Sequence, residues 1–428
     1  MKQIYSRLMG CATAVALTLG FSLPASAFMV GSMNFEPLSS TTCSLTRNSE
    51  DFEGDLVIPS KVTDPSTGIE YTVTEIGVLA CDFNALLTSV TLPETLVTMG
   101  AKCFSGCSRL KEVTLPASLR NYGNRSFEFC TSLENIFVEE GNQFYRSEGG
   151  ILYNYVGTEI VQVPQSRTEV TLNPNIKRIG YGAFYGCDKL TEVFIPANVE
   201  KIDLGAFQDC YGLQRVNIPA KCKIIMGWAF DHCAMLSEVE FEEGCEEVGA
   251  GSFQFCSALE DLRLPDTIKT ISESAFMGCN NLRRAYLGKS IEVIGGDSFI
   301  SCNNLEEIVV PAVKVPEVDD EAFGEEQFEY ATLYVPDESV NLYADHDIWQ
   351  NFIHLLPISM NGVKEVEASE EISFSITSGT LNATAAGIIE LYAADGSLVA
   401  RGNGSLSATP APGLYVLRTA SGARKIRL

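Results

Sequence analysis

The chain has 428 residues, 46% of them hydrophobic, enough to fill two or three domain cores and incompatible with a disordered polymer. Its 30 Lys and Arg against 55 Asp and Glu leave a formal charge of −25. A surface so acidic repels phosphate backbones and anionic headgroups, which sets nucleic acid aside as a partner.

Residues 1–27 read as a cleaved secretory signal: Lys2 and Arg7 form a basic start, "CATAVALTLGF" is the apolar run, and Ala25, Ser26 and Ala27 make the small-residue site. The mature chain is expected to begin at Phe28. "LMGC", ending at Cys11, is no lipoprotein box, because the hydrophobic region follows the cysteine instead of preceding it. No other stretch reaches the roughly 20 apolar residues of a membrane span, so none is expected in the mature chain.

From residue 76 onward one line recurs. Phe-x-x-Cys stands at Phe104, Phe127, Phe184, Phe207, Phe230, Phe253, Phe276 and Phe299, each 23 residues after the last except for the step of 57 from Phe127 to Phe184. Cys81 holds the Phe place one period earlier, and Phe323 returns one residue late without its cysteine. The long step contains "EEGNQFYRSEGGILYNYVGTEIVQVPQ", which predicts a β-hairpin insertion near 138–165 turned at Gly149-Gly150 and Val156-Gly157.

A period of 20 to 50 residues signals a solenoid, in which a unit unable to bury its own apolar face stacks on the next. In the copy at Phe184 the apolar letters are Phe184, Cys187, Leu190, Val193 and Ile195, then Pro196, Val199 and Ile202. Val-x-Ile-Pro predicts a short strand pointing Val193 and Ile195 inward and Phe194 outward, Val-x-x-Ile a second extended piece, and Ala-Phe-x-x-Cys a turn. About 11 coils stacked at about 4.8 Å make a rod on the order of 50 Å long.

This unit, Ala-Phe-x-x-Cys-x-x-Leu-x-x-Val-x-Ile-Pro followed by Val-x-x-Ile, resembles the BspA-like leucine-rich repeats of bacterial surface proteins, over roughly residues 60 to 358. The resemblance implies a mainly β fold: a leucine-rich-repeat solenoid of 23-residue coils over 76–358. "GDLVIPSKVTDPSTGIEYTVTEIG" looks like that family's N-terminal β cap, placed at 28–75, and "LYVPDESVNLYADHDIWQNF" like its closing segment.

The eight repeat cysteines, Cys107 to Cys302, fall in one column. Its spacing of about 4.8 Å exceeds the roughly 3.8 Å between Cβ atoms that a disulfide needs, so they are expected to be buried thiols. Cys43, Cys81, Cys103, Cys222 and Cys245 lie off that column and are the candidates for any bridge. One ligand per coil does not make a metal site, and no metal or other cofactor is expected. His232, His346 and His354 sit in no metal or triad spacing, and the acidic runs "EFEEGCEE" and "EVDDEAFGEEQFE" read as solvated faces.

After a linker at 359–371, residues 372–428 alternate in short strands with turns at "ADGS", "GNGS" and "APG", predicting a small C-terminal β-sandwich. Gly413, Tyr415 and the basic, apolar ending at 425–428 resemble the sorting domain of type IX secretion. That resemblance implies passage beyond the inner membrane.

A rigid extended surface suits binding. The outward residues Thr91, Thr114, Phe137, Phe194, Asn217, Glu240, Arg263, Tyr286 and Val309 form a column, and beside it runs the charged series Glu112, Asn135, Glu192, Arg215, Glu238, Asp261, Arg284 and Glu307. Phe137, Phe194, Arg263 and Tyr286 are the candidate ligand-binding residues, since large aromatic and arginine side chains carry most binding energy. No catalytic residues are expected. The sequence therefore reads as a non-enzymatic, adhesin-like protein, secreted or at the cell surface, that meets a host or neighbouring-cell surface protein or glycan. The alternative is a periplasmic or outer-surface glycan-binding or scaffold protein.

Overall fold

The structure, a computed structural model, describes residues 27–48, 51–360, 372–377, 380–393, 398–411, 414–419 and 422–427. The expected signal at 1–27, apart from its last residue, and most of the expected linker lie outside these residues.

Each coil contributes two extended pieces, and the pieces build two faces. Val-x-x-Ile makes the continuous one. Seven two-residue strands, from Arg178–Ile179 to Glu317–Val318, pair in parallel register, Ile179 to Ile202 to Ile225 and onward. Two residues per rung suffice because each strand is hydrogen-bonded on both sides. The Val-x-Ile face is broken into separate sheets: Gly54–Val57 with Leu87–Thr91, Glu112–Leu115 with Asn135–Val138, then Glu192–Val193 through Glu238–Phe241, then Asp261–Arg263 through His354–Pro357.

The turn between the faces explains the Phe ruler. In every regular coil the residues two before and two after the Phe position have positive φ, for example Ser274 at 58° and Gly278 at 74° around Phe276. Two left-handed residues reverse the chain on either side of the ring and drive it inward. The rings stack coil upon coil, Phe207 on Phe230 at 4.9 Å and Phe230 on Phe253 at 5.0 Å, within 10° of parallel and fully buried.

All thirteen cysteines from Cys43 to Cys302 are buried and free. In the repeat column the thiol makes one recurring hydrogen bond. Cys130 donates to the Phe104 carbonyl at 3.1 Å, Cys210 to Phe184 at 3.0 Å and Cys256 to Phe230 at 3.2 Å, always one coil back. Cys222 and Cys245 stand where the neighbouring coils carry Val199 and Ile268, packed as small apolar residues.

The 57-residue step holds more than the expected hairpin. It holds a hairpin, Tyr145–Glu148 with Ile151–Asn154, whose third strand Glu159–Gln162 joins the Val-x-x-Ile ladder through Ile160 and Ile179. It also holds a whole coil that the Phe ruler misses. Val163 takes the Phe seat: its N–H reaches the Ala183 carbonyl at 2.8 Å as that of Phe184 reaches Ala206, and the Cys187 thiol points at its carbonyl. Val170, Leu172, Ile176 and Ile179 then precede Val193, Ile195, Val199 and Ile202 by 23 each. A β-branched aliphatic side chain fills the ring's place but cannot stack, so the Phe ladder is interrupted there. The apolar core divides at the same level into two clusters, one ending at Leu152 and one starting at Ile151.

Both ends of the stack are covered. At the start, Glu70–Ile76 lies between Thr42–Thr46 and Thr98–Met99 and ties an N-terminal sheet to the ladder, with Phe28, Phe35 and Tyr71 stacked beneath it. At the end, Phe323 stacks on Phe299 at 5.2 Å, and Trp349 and Phe352 close over it, the indole N–H donating to the Pro316 carbonyl at 3.2 Å. The C-terminal strands form an antiparallel sheet in which Thr380–Ala393 changes partner, from Ile372–Thr377 to Leu414–Thr419, across a bulge between Thr384 and Ile388. Leu381, Ile389, Leu391, Leu406 and Leu417 are its core.

Candidate functional site

On the broken face the Val-x-Ile alternation holds: Val193, Val216 and Leu262 are buried while Phe194, Glu240 and Arg263 are exposed. The outward series is less uniform than expected, since Asn217, Tyr286 and Val309 are only half-exposed. It also has a member that the Phe ruler conceals, Thr171 of the divergent coil, which is exposed beside Phe194.

Phe194 is 73% exposed, more than Phe137 at 41%. Two hollows flank this exposed ring. On one side is an apolar hollow lined by Val170, Leu172, Pro174 and Pro196, and on the other a polar hollow lined by Glu192, Arg215, Asn217, Glu238 and Glu240. Asn217 opens the second hollow. Its side-chain amide accepts from the Ile195 N–H at 2.7 Å and donates to the Ile195 carbonyl at 2.9 Å, replacing a main-chain partner and spreading the two coils.

Arg263 and Tyr286 are brought together. The guanidinium carbon of Arg263 lies 4.4 Å from the ring centroid of Tyr286, whose hydroxyl donates to Asp266 at 2.7 Å; Lys289 reaches the other oxygen of Asp266 at 2.6 Å. Burial, followed by the bond to Asp266, pushes the Tyr286 hydroxyl up to about 12. For Asp266 burial alone would raise the carboxyl, but the bonds from Lys289 and Tyr286 outweigh it and hold it below its ordinary value. Phe137 stands apart, on the other side of the hairpin coil. Two of the four expected residues thus share a cluster and two do not.

The charged series beside the column is paired across coils, Arg215 with Glu238 at 2.8 Å and Arg284 with Asp261 at 2.6 Å. In the first acidic run Glu246 meets both Lys223 and Lys269. These are exposed pairs of small energy, but they fix side-chain directions. His232 is held by Asp231 at 2.7 Å and lies over Phe255, whereas the Cys233 thiol turns inward to the Phe207 carbonyl. They make no nucleophile–base pair. Among the described residues no group of His, Cys, Asp or Glu is arranged to hold a metal ion, and no helix is long and apolar enough to cross a membrane.

A second aromatic surface, on the turns, escaped the sequence reading. Phe129 meets Tyr185 edge-on at 5.7 Å, Arg125 lies over Tyr185, and Trp228 is 47% exposed. The signal for it lay in offsets of one or two from the Phe ruler, positions that carry no apolar period.

The profile of one family, described as BspA type leucine rich repeat region, matches in six copies over residues 65–167, 154–283 and 205–329. Among solved structures the fold is similar to the pneumococcal vaccine antigen PcpA, at 17% identity over 77% of this chain and 96% of that one, with a TM-score of 0.50. It is equally similar to a leucine-rich repeat protein of Eubacterium ventriosum, at 18% identity over 69% and 92%, also with a TM-score of 0.50. A search of the curated proteins finds no match.

Proposed function

The chain belongs to the BspA-type leucine-rich repeat family, whose profile covers more than half of its 428 residues, and from that premise we propose that it is a non-enzymatic binding protein presenting its Val-x-Ile face to a protein ligand. The observation that carries this reading is Phe194, a ring held 73% exposed between an apolar and a polar hollow on a face stiffened by stacked coils. Exposed aromatics in a hollow with charged rims are where binding energy concentrates.

The signal-like residues 1–27 and the C-terminal strands support export and a place at the cell surface or in the medium. Surface proteolysis of intact cells tests this: the chain should be cleaved in whole cells, and deletion of 372–428 should leave it protected.

The binding test is capture of the processed chain on a panel of immobilised extracellular-matrix proteins and a glycan array. Phe194→Ala should weaken capture by about 1 to 3 kcal/mol with little change in melting, whereas Glu240→Ala in the same column should leave it nearly unchanged. Normal capture by Phe194→Ala, with loss on substituting Tyr145 or Tyr153 of the hairpin, would move the site off this face.

A further inference from the structure

Trp228 is the odd member of its row on the turns. It stands two residues before the stacking Phe230 and holds φ of 54°, while in the coils on either side the same place belongs to Gly205 and Gly251, at 57° and 60°. A left-handed backbone suits glycine and strains a bulky side chain, because Cβ crowds the following carbonyl. The position is not a core seat either, since the indole stays 47% exposed. It leans onto Gly251, where an added Cβ would lie 2.8 Å from its Cδ1 and 2.9 Å from its Nε1. The carboxamide oxygen of Gln254 meets the same point at 2.9 Å, so a donor and an acceptor converge at the edge of the ring. Neither the indole N–H nor the Gln254 side chain makes a protein hydrogen bond among the described residues. One coil back, Gln208 folds over Gly205, its oxygen 3.2 Å from the corresponding point, and is fixed there by its Nε2–H donating to Asp231 at 2.9 Å.

We infer that this turn binds a neutral β-linked oligosaccharide of glucose configuration, one pyranose lying against the Trp228 indole while Gln254 and Gln208 bond its hydroxyls. The inference goes beyond the proposed protein binding on the Val-x-Ile face and does not depend on it. A pyranose whose hydroxyls are all equatorial offers a C–H face to a flat ring and a polar rim at its edge. The turn offers the matching division, an exposed ring with unpartnered neutral donors and acceptors beside it. A protein knob would instead want an apolar hollow around the ring, as Phe194 has, and the core of a protein interface leaves few polar groups unpaired. The formal charge of −25 repels sulfated or sialylated glycans and nucleotides, which leaves the neutral sugar.

The chain has two tryptophans and the other, Trp349, is fully buried, so a change in emission on adding a ligand reports on Trp228. Titration of the processed chain with cellohexaose and with N-acetylchitohexaose should give a saturable shift to shorter wavelength with at least one of them, and a heparin hexasaccharide should give none. Calorimetric titration then compares variants. Trp228→Gly, which installs the residue of the neighbouring coils, should weaken sugar binding about tenfold or more, and Gln254→Ala about threefold or more, with both still melting cooperatively. Phe194→Ala should bind the sugar as the unaltered chain does. No saturable response to either sugar, or binding by Trp228→Gly within about twofold of the unaltered chain, overturns the inference. Decaproline, whose extended helix stacks on exposed aromatic rings, is the peptide control: saturation by it and by neither sugar would assign the turn to a protein segment and overturn the inference as well. Because Phe194 lies on the strand face and Trp228 on a turn, failure here leaves the protein-binding reading standing.

Discussion

Cysteine recurs in the turn because the seat asks for a side chain small enough for a coil interior, apolar enough to be buried, and able to donate one weak hydrogen bond. Cys256 satisfies all three with its thiol 3.2 Å from the Phe230 carbonyl. Cys256→Ala should therefore lower stability by about 1 to 3 kcal/mol in urea unfolding, from lost packing plus a less satisfied carbonyl. An unchanged midpoint would show that the thiol only fills space. The left-handed residues beside Phe276 make a second test. Ser274 holds φ of 58° with no side-chain hydrogen bond among the described residues, so Ser274→Gly should gain up to about 1 kcal/mol. Gly278 has φ of 74° and lies under the Phe255 ring, which an added Cβ would strike, so Gly278→Ala should lose more than about 1 kcal/mol. The same kind of position thus responds oppositely to the same kind of change, according to what covers it.

The stacked rings act as one element. Phe230 touches Phe207 and Phe253 at 4.9 and 5.0 Å, so Phe230→Ala should cost about 3 to 5 kcal/mol and loosen both neighbouring coils. Hydrogen exchange is the measurement: amides of the coils at Phe207 and Phe253 should lose protection together, and loss confined to the mutated coil would refute coupling along the ladder. The hairpin coil marks where this element stops. Val163 cannot continue the stack, and the strands Tyr145–Glu148 and Ile151–Asn154 restore the ladder on the other face by adding rungs of their own.

For the molecule as a whole, buried thiols set a limit at alkaline pH. Burial is the leading cause that pushes Cys222 up to about 11 and Cys103 and Cys245 up to about 12. A thiol ordinarily titrates near 9, so the folded chain holds these protons more tightly than the unfolded one. Their contribution is present in full below about pH 8.5 and is lost as the pH climbs towards 11 or 12. By pH 10 each of the three removes about 1.4 kcal/mol, roughly 4 kcal/mol together. Urea unfolding under reducing conditions at pH 7.5 and pH 10 checks this. The double variant Cys222→Val, Cys245→Val, which restores the residue type of Val199, should lose about 3 kcal/mol less over the same interval. A loss equal to that of the unaltered chain would mean that these thiols do not govern the alkaline limit.

The 23-residue spacing, the inward residues of each coil, the covered ends and the outward direction of Phe194 were all legible in the chain. The physical reason is that a solenoid coil contacts only its neighbours in sequence, so its packing is written as a period. The divergent coil was not legible, because Val163 occupies the Phe seat by position in space and carries none of its letters. Nor were the Asn217 fork that spreads two coils, the meeting of Arg263 with Tyr286, or the lack of a strand at 168–172. Each depends on how a side chain or a main-chain edge of one coil finds its counterpart 20 or more residues away, a relation settled by the stacking of coils and absent from any single repeat.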